Sequence, residues 1–167
     1  MPSTNRLPVS RPLQAALVLL LFVIVGFATE PRPVVGQKLV EITRPGDIDA
    51  YVTETESRFA DLREGTEKLI IRHPTAKGRK TPLAVVYLHA FSASRQELSP
   101  VPEQLAKRLG ANLLLTRLSG HGSPGDALGY VTVEDWLTDA VEASQIGRAL
   151  GDRVLLMGTS TEGTLAA

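Results

Sequence analysis

The strongest constraint on this chain is an alternation. Three runs with apolar centres, Leu83 to Leu88, Asn112 to Arg117 and Val154 to Met157, are separated by two stretches whose apolar residues recur at helical spacing. A strand that is apolar at nearly every position, rather than at every second one, is a strand buried on both faces of a sheet. Between the runs, Pro102 to Leu109 reads as a helix closed by Gly110. Val133 to Leu150 reads as a long amphipathic helix with Trp136, Ala140, Ala143 and Ile146 or Gly147 on one face, ending at Gly151. Strand, helix, strand, helix, strand with short connections predicts βαβ units, hence an α/β fold on a parallel sheet with right-handed crossovers. Upstream, Leu69-Ile70-Ile71 reads as a short strand and Pro74 to Pro82 as a polar turn. Asp47 is placed to N-cap an amphipathic helix reaching about Leu62, with Ile48, Tyr51, Val52, Thr55 and Phe59 inward.

Charge and composition narrow the function. Lys plus Arg and Asp plus Glu both total 18, so there is no basic field to hold nucleic acid. The 167 residues contain no cysteine and three histidines, His73, His89 and His121, which excludes disulfides and thiolate chemistry and leaves no metal-ligand set. There is no G-x-G-x-x-G and no P-loop lysine, so no cofactor is expected. Oligomeric state is not legible.

The N-terminus reads as a targeting segment. Arg6 and Arg11 precede an uncharged run from Pro12 to Thr29 with an apolar heart from Ala15 to Ile24. The spacing fits either a signal peptide cleaved after Ala28 or a membrane anchor with its N-terminus inside; the remaining alternative is a buried core helix. The first two put the remainder outside the cytoplasm, secreted or periplasmic in one case and membrane-anchored in the other. The expected organisation is residues 1–30 as signal or anchor, 31–66 as linker and amphipathic helix, and 67–167 as the α/β domain.

Each buried run ends in a loop with chemistry in it. After the third comes Gly158-Thr159-Ser160-Thr161-Glu162-Gly163, then helix formers. A serine at a strand-to-helix turn between small residues fits a nucleophile elbow, in which a tight turn lifts the hydroxyl above the sheet. An N-cap serine and a phosphate-binding turn fit the same residues. After the first run stands His89-Ala90-Phe91-Ser92-Ala93-Ser94, and after the second Arg117-Leu118-Ser119-Gly120-His121-Gly122.

These three motifs, in this order, resemble those of the α/β-hydrolase superfamily, in particular bacterial serine esterases, carboxylesterases and monoglyceride-lipase-like enzymes. The resemblance covers about Glu67 to Ala167 and implies a carboxylic ester or other acyl substrate. It implies Ser160 as nucleophile and the backbone N–H groups of Phe91 and Thr161 as an oxyanion hole. It puts His89 and His121 at the substrate site rather than in the triad; the plainer reading of each is a histidine bracing its loop. Phe91 and Leu118 give the site an apolar character. Two residues depart from the pattern: Ala90 stands where glycine is usual, and Glu162 where a small residue is usual.

In this fold the triad runs Ser, Asp or Glu, His along the chain, and residues 161–167 contain neither Asp nor His. The sequence therefore reads as the N-terminal portion of such a hydrolase, truncated after the elbow, with the elbow strand left at the sheet edge, and as inactive in this form. The alternative from another class is a non-catalytic extracytoplasmic binding protein on a degenerate hydrolase fold, favoured by Ala90, Glu162 and the missing base.

Overall fold

The computed structural model describes residues 11–29, 47–160, 163 and 165, and the chain divides into two compact units, Met1–Val34 and Val35–Ala167. In the first, Arg11–Thr29 forms helix α1, with its large apolar side chains from Leu13 to Val25 exposed. No described helix is long and apolar enough to cross a membrane. The anchor expectation is therefore not carried by this helix. The linker expected from residue 31 falls largely outside the described residues.

The second unit is built on a four-stranded sheet of order β1-β3-β2-β4. Its strands are β1 (Leu69–Ile71), β2 (Thr81–Leu88), β3 (Asn112–Leu115) and β4 (Gly151–Gly158). β2 pairs in parallel with β3 and β4, as the alternation requires, with Tyr87 opposite Leu115 and Leu88 opposite Gly158. β1 corrects the parallel expectation: it runs antiparallel to β3, with Leu69 opposite Leu115, so the sheet is mixed. Residues 72–80 are too few for a parallel crossover, which takes about a dozen residues or more. Among the described residues β4 lies at the sheet edge, paired only with β2.

Both faces of β2 are covered, which is why its sequence shows no alternation. Ala84, Val86 and Leu88 pack with Leu114, with Ile48 and Val52 of α2 (Ile48–Glu56), and with Ala143, Ile146 and Leu150 of α4 (Val133–Leu150). On the other face Val85, Tyr87, Leu113 and Leu115 pack with Ala106 of α3 (Val101–Leu109). Fully burying an aliphatic side chain of this size contributes about 1.5–3 kcal/mol.

Local signals set the helix ends. Asp47 accepts the Ala50 N–H at 3.0 Å. Thr132 and Asp135 form a reciprocal capping box at the start of α4. α3 ends on Gly110 in the left-handed conformation. α2 stops at Glu56 rather than near Leu62 because the Glu56 carboxylate turns inward to Arg117 and to the Lys68 N–H. Phe59 consequently lies beyond the helix, exposed, under the Arg117 guanidinium at 4.2 Å.

α4 and β4 approach β2 closely at Gly151. A Cβ there would fall inside contact distance of the Ala84 backbone nitrogen, where neither strand has room to yield. Gly151→Ala is expected to cost about 1–3 kcal/mol, the usual cost of overpacking, seen as a lower urea midpoint at unchanged slope. An unchanged midpoint would contradict the close packing.

Candidate active site

The carboxyl ends of β2, β3 and β4 place three loops side by side, the end of a parallel sheet at which ligands bind in α/β folds. Ser160 closes the loop after β4. It is exposed, its φ is +54°, and its carbonyl accepts the Gly163 N–H at 3.1 Å. An N-cap serine has extended backbone; Ser160 instead occupies the left-handed region, a conformation that costs a non-glycine residue about 1–3 kcal/mol and clusters at functional turns. Thr161 and Glu162 lie outside the described residues.

The loops after β2 and β3 are held together by two histidines with mirrored roles. His89 pairs its Nδ1 with the Ala90 carbonyl of its own loop (3.1 Å), and its Nε2 accepts the Leu118 N–H of the other (3.2 Å). His121 pairs its Nδ1 with the Ser119 carbonyl (3.1 Å), and its Nε2 accepts the Ser92 N–H (3.0 Å). An imidazole that donates from one nitrogen and accepts at the other is neutral. Burial, the largest cause, pushes the His89 pKa down to about 4 and lowers that of His121. The rings meet edge to face at 4.8 Å.

Phe91 stands out from this brace, its side chain half exposed and edge-on to His121 and Trp136. Among the described residues its N–H donates to no backbone acceptor. The φ of Ala90 is not positive, so a methyl group in place of glycine carries no backbone strain there. Glu97 joins the loops: its Oε2 accepts the Ala90 N–H (2.9 Å), the Tyr87 hydroxyl (3.1 Å) and the Thr159 hydroxyl (3.3 Å). The Ala90 N–H is the main reason its carboxyl is held below the ordinary range. Beside this junction opens a cavity of about 560 Å³ lined by Ser92, Ser94, Gln96, Glu97, His121 and Ser123 among others. Ser160 is not part of that lining.

No family model matches the chain. Over 84 residues, 50% of this chain and 33% of the relative, it is 29% identical to the thermostable monoacylglycerol lipase of Bacillus sp. (strain H-257). Among solved structures it is similar to one described as "LipS and LipT, two metagenome-derived lipolytic enzymes", with a TM-score of 0.54 and 27% identity, covering 63% of this chain and 40% of that one. The chain is α/β-hydrolase-like. It spans well under half the length of these relatives.

Within this hydrolase-like frame, the expected site residues sort as follows. Ser160 and Phe91 come to the same end of the sheet. His89 is fully buried with both ring nitrogens engaged by backbone groups, which leaves it no atom for a substrate. His121 is nearly buried but borders the cavity. Leu118 is not beside the site: it is fully buried in the core with Leu88 and Ile146. Sequence reasoning passed over Glu97, which sits in a polar stretch with no motif. Asp139 also holds a loop here: its carboxylate accepts the Ser119 N–H, and burial raises its pKa.

No described group of His, Cys, Asp or Glu could hold a metal ion.

Proposed function

We propose that the chain carries the nucleophile of a serine hydrolase acting on carboxylic esters. The observation that carries this reading is the left-handed backbone of exposed Ser160 at the carboxyl end of β4. The Ser160 hydroxyl adds to the ester carbonyl carbon, its proton passes to a histidine base, and the alkoxide leaves as the alcohol; water then releases the acyl group and restores the serine. The N–H groups of Phe91 and Thr161 hold the negative oxygen in between. His89 and His121 spend both ring nitrogens on backbone groups, and His73 pairs with Thr75 on the turn before β2, so none of the three serves as the base. The names of the lipolytic relatives support small or acyl esters as substrates.

We further read residues 1–30 as an export signal whose apolar region lies within α1, behind Arg6 and Arg11. On that reading residues 67–167 form part of an extracytoplasmic hydrolase domain.

In the full-length protein a fluorophosphonate is expected to modify Ser160, with the adduct mapped to the peptide after β4 and lost in Ser160→Ala. Hydrolysis of a short-chain ester should fall by at least about 10³-fold in the same variant. A folded protein whose Ser160 stays unmodified would support a binding protein instead.

A further inference from the structure

Three donors converge on one oxygen of Glu97, and two of them belong to the residues that immediately precede the proposed reacting groups. Ala90 precedes Phe91, the proposed oxyanion donor, and Thr159 precedes Ser160. The third, the Tyr87 hydroxyl, comes from the end of β2, the strand that leads into the oxyanion loop and pairs with β4. We propose that Glu97 is a positioning residue that locks the oxyanion loop to the nucleophile turn, so that the Phe91 N–H and Ser160 keep one spacing. The proposal rests on the serine-hydrolase reading for its effect on chemistry, but not for the clamp itself.

The residue type fits the task. A carboxylate oxygen carries no hydrogen and accepts several bonds at once, and bonds to an ionised acceptor are shorter and stronger than neutral ones. Its place is set by the turn it sits in, where the Glu97 N–H donates to the Ser94 carbonyl at 2.9 Å. Glu97 is exposed on the cavity side, and no other described side chain accepts the Ala90 N–H. Deleting the carboxylate removes the acceptor that the loop's Ala90 N–H and the turn's Thr159 hydroxyl share. Two rigid loops that lose a common anchor drift by tenths of an ångström, and a misplacement near 1 Å is enough to cost about 10²-fold in rate.

The test compares Glu97→Ala and Glu97→Gln with wild type in the full-length protein by two readouts. The first is hydrogen exchange at the Ala90 amide, which needs no activity. It is expected to speed up by about tenfold or more in Glu97→Ala and to stay near wild type in Glu97→Gln, whose amide oxygen still accepts, with unchanged far-UV circular dichroism in both. The second is the rate of fluorophosphonate modification of Ser160 as a function of probe concentration. The limiting rate is expected to fall about 10- to 100-fold in Glu97→Ala and to recover most of that in Glu97→Gln, with the half-saturating concentration unchanged. An Ala90 amide that exchanges alike in all three proteins overturns the clamp. So does a limiting rate that stays constant while half-saturation rises, because that is the signature of direct probe contact. If wild-type Ser160 is never modified, the hydrolase reading fails and the exchange result alone decides whether Glu97 holds the two loops.

Discussion

Alanine at Glu56 is expected to lower the unfolding free energy by about 3–5 kcal/mol, the range for removing one partner of a buried ion pair. The Arg117 side chain is 4% exposed and that of Glu56 9%. Nε and Nη2 of Arg117 reach the two carboxylate oxygens at 2.8 and 2.9 Å, a bidentate grip. The same carboxylate accepts the Lys68 N–H at 2.8 Å. Nearby, Lys68 pairs with Glu142, which also accepts the Tyr51 hydroxyl. Without Glu56 the guanidinium keeps, among the described residues, a long bond to the His121 carbonyl, 3.4 Å, and the face of Phe59. Thermal unfolding should drop by roughly 6–20 °C, at about 2–4 °C per kcal/mol for a chain of this size. The paired replacement Glu56→Leu with Arg117→Met should recover most of the loss, because it removes both charges. A Glu56→Ala loss below about 1 kcal/mol would mean that the pair is solvated.

The second large effect is acid lability. His89 titrates near 4 in the folded chain against about 6.5 unfolded. Between those values the unfolded state binds more protons than the native state, so stability falls as pH falls through this window and is fully present above it. At about 1.36 kcal/mol per unit, His89 contributes about 3 kcal/mol that is gone by pH 4. The geometry gives the cause: protonation turns Nε2 into a donor facing the Leu118 N–H, in a fully buried site where a second imidazole and Arg117 also oppose positive charge, and the Ala90 carbonyl and Glu97 offset only part of this. His121 shifts in the same direction. Urea midpoints at pH 7, 5.5 and 4 should decline more steeply in wild type than in His89→Gln, whose loss is already present at pH 7. Parallel declines would remove the histidine from the account.

The alternating fold was legible because burial on both faces suppresses the period-two pattern, as in Val85, Val86 and Tyr87 of β2. The direction of β1 was not, since three apolar residues specify a strand but not its partner; the short stretch 72–80 decides it. The end of α2 was misread for a related reason. The apolar spacing runs on through Phe59, but Glu56 has a partner 61 residues away that pulls the chain out of the helix. At the site, small residues around Ser160 were visible, while the left-handed φ that separates an elbow from an N-cap is a three-dimensional fact. Leu118 belongs in sequence to the loop after β3, yet its side chain points into the core rather than to the site. Glu97 had no local signal, because its donors lie up to 62 residues away.

The mirrored histidine brace also sets how this end of the molecule moves. Each loop supplies the ring that satisfies the other's backbone, so neither can open while its partner stays shut without stranding a buried nitrogen. Residues 89–92 and 117–121 thus form a single cooperative unit, opening in one step rather than fraying one after the other.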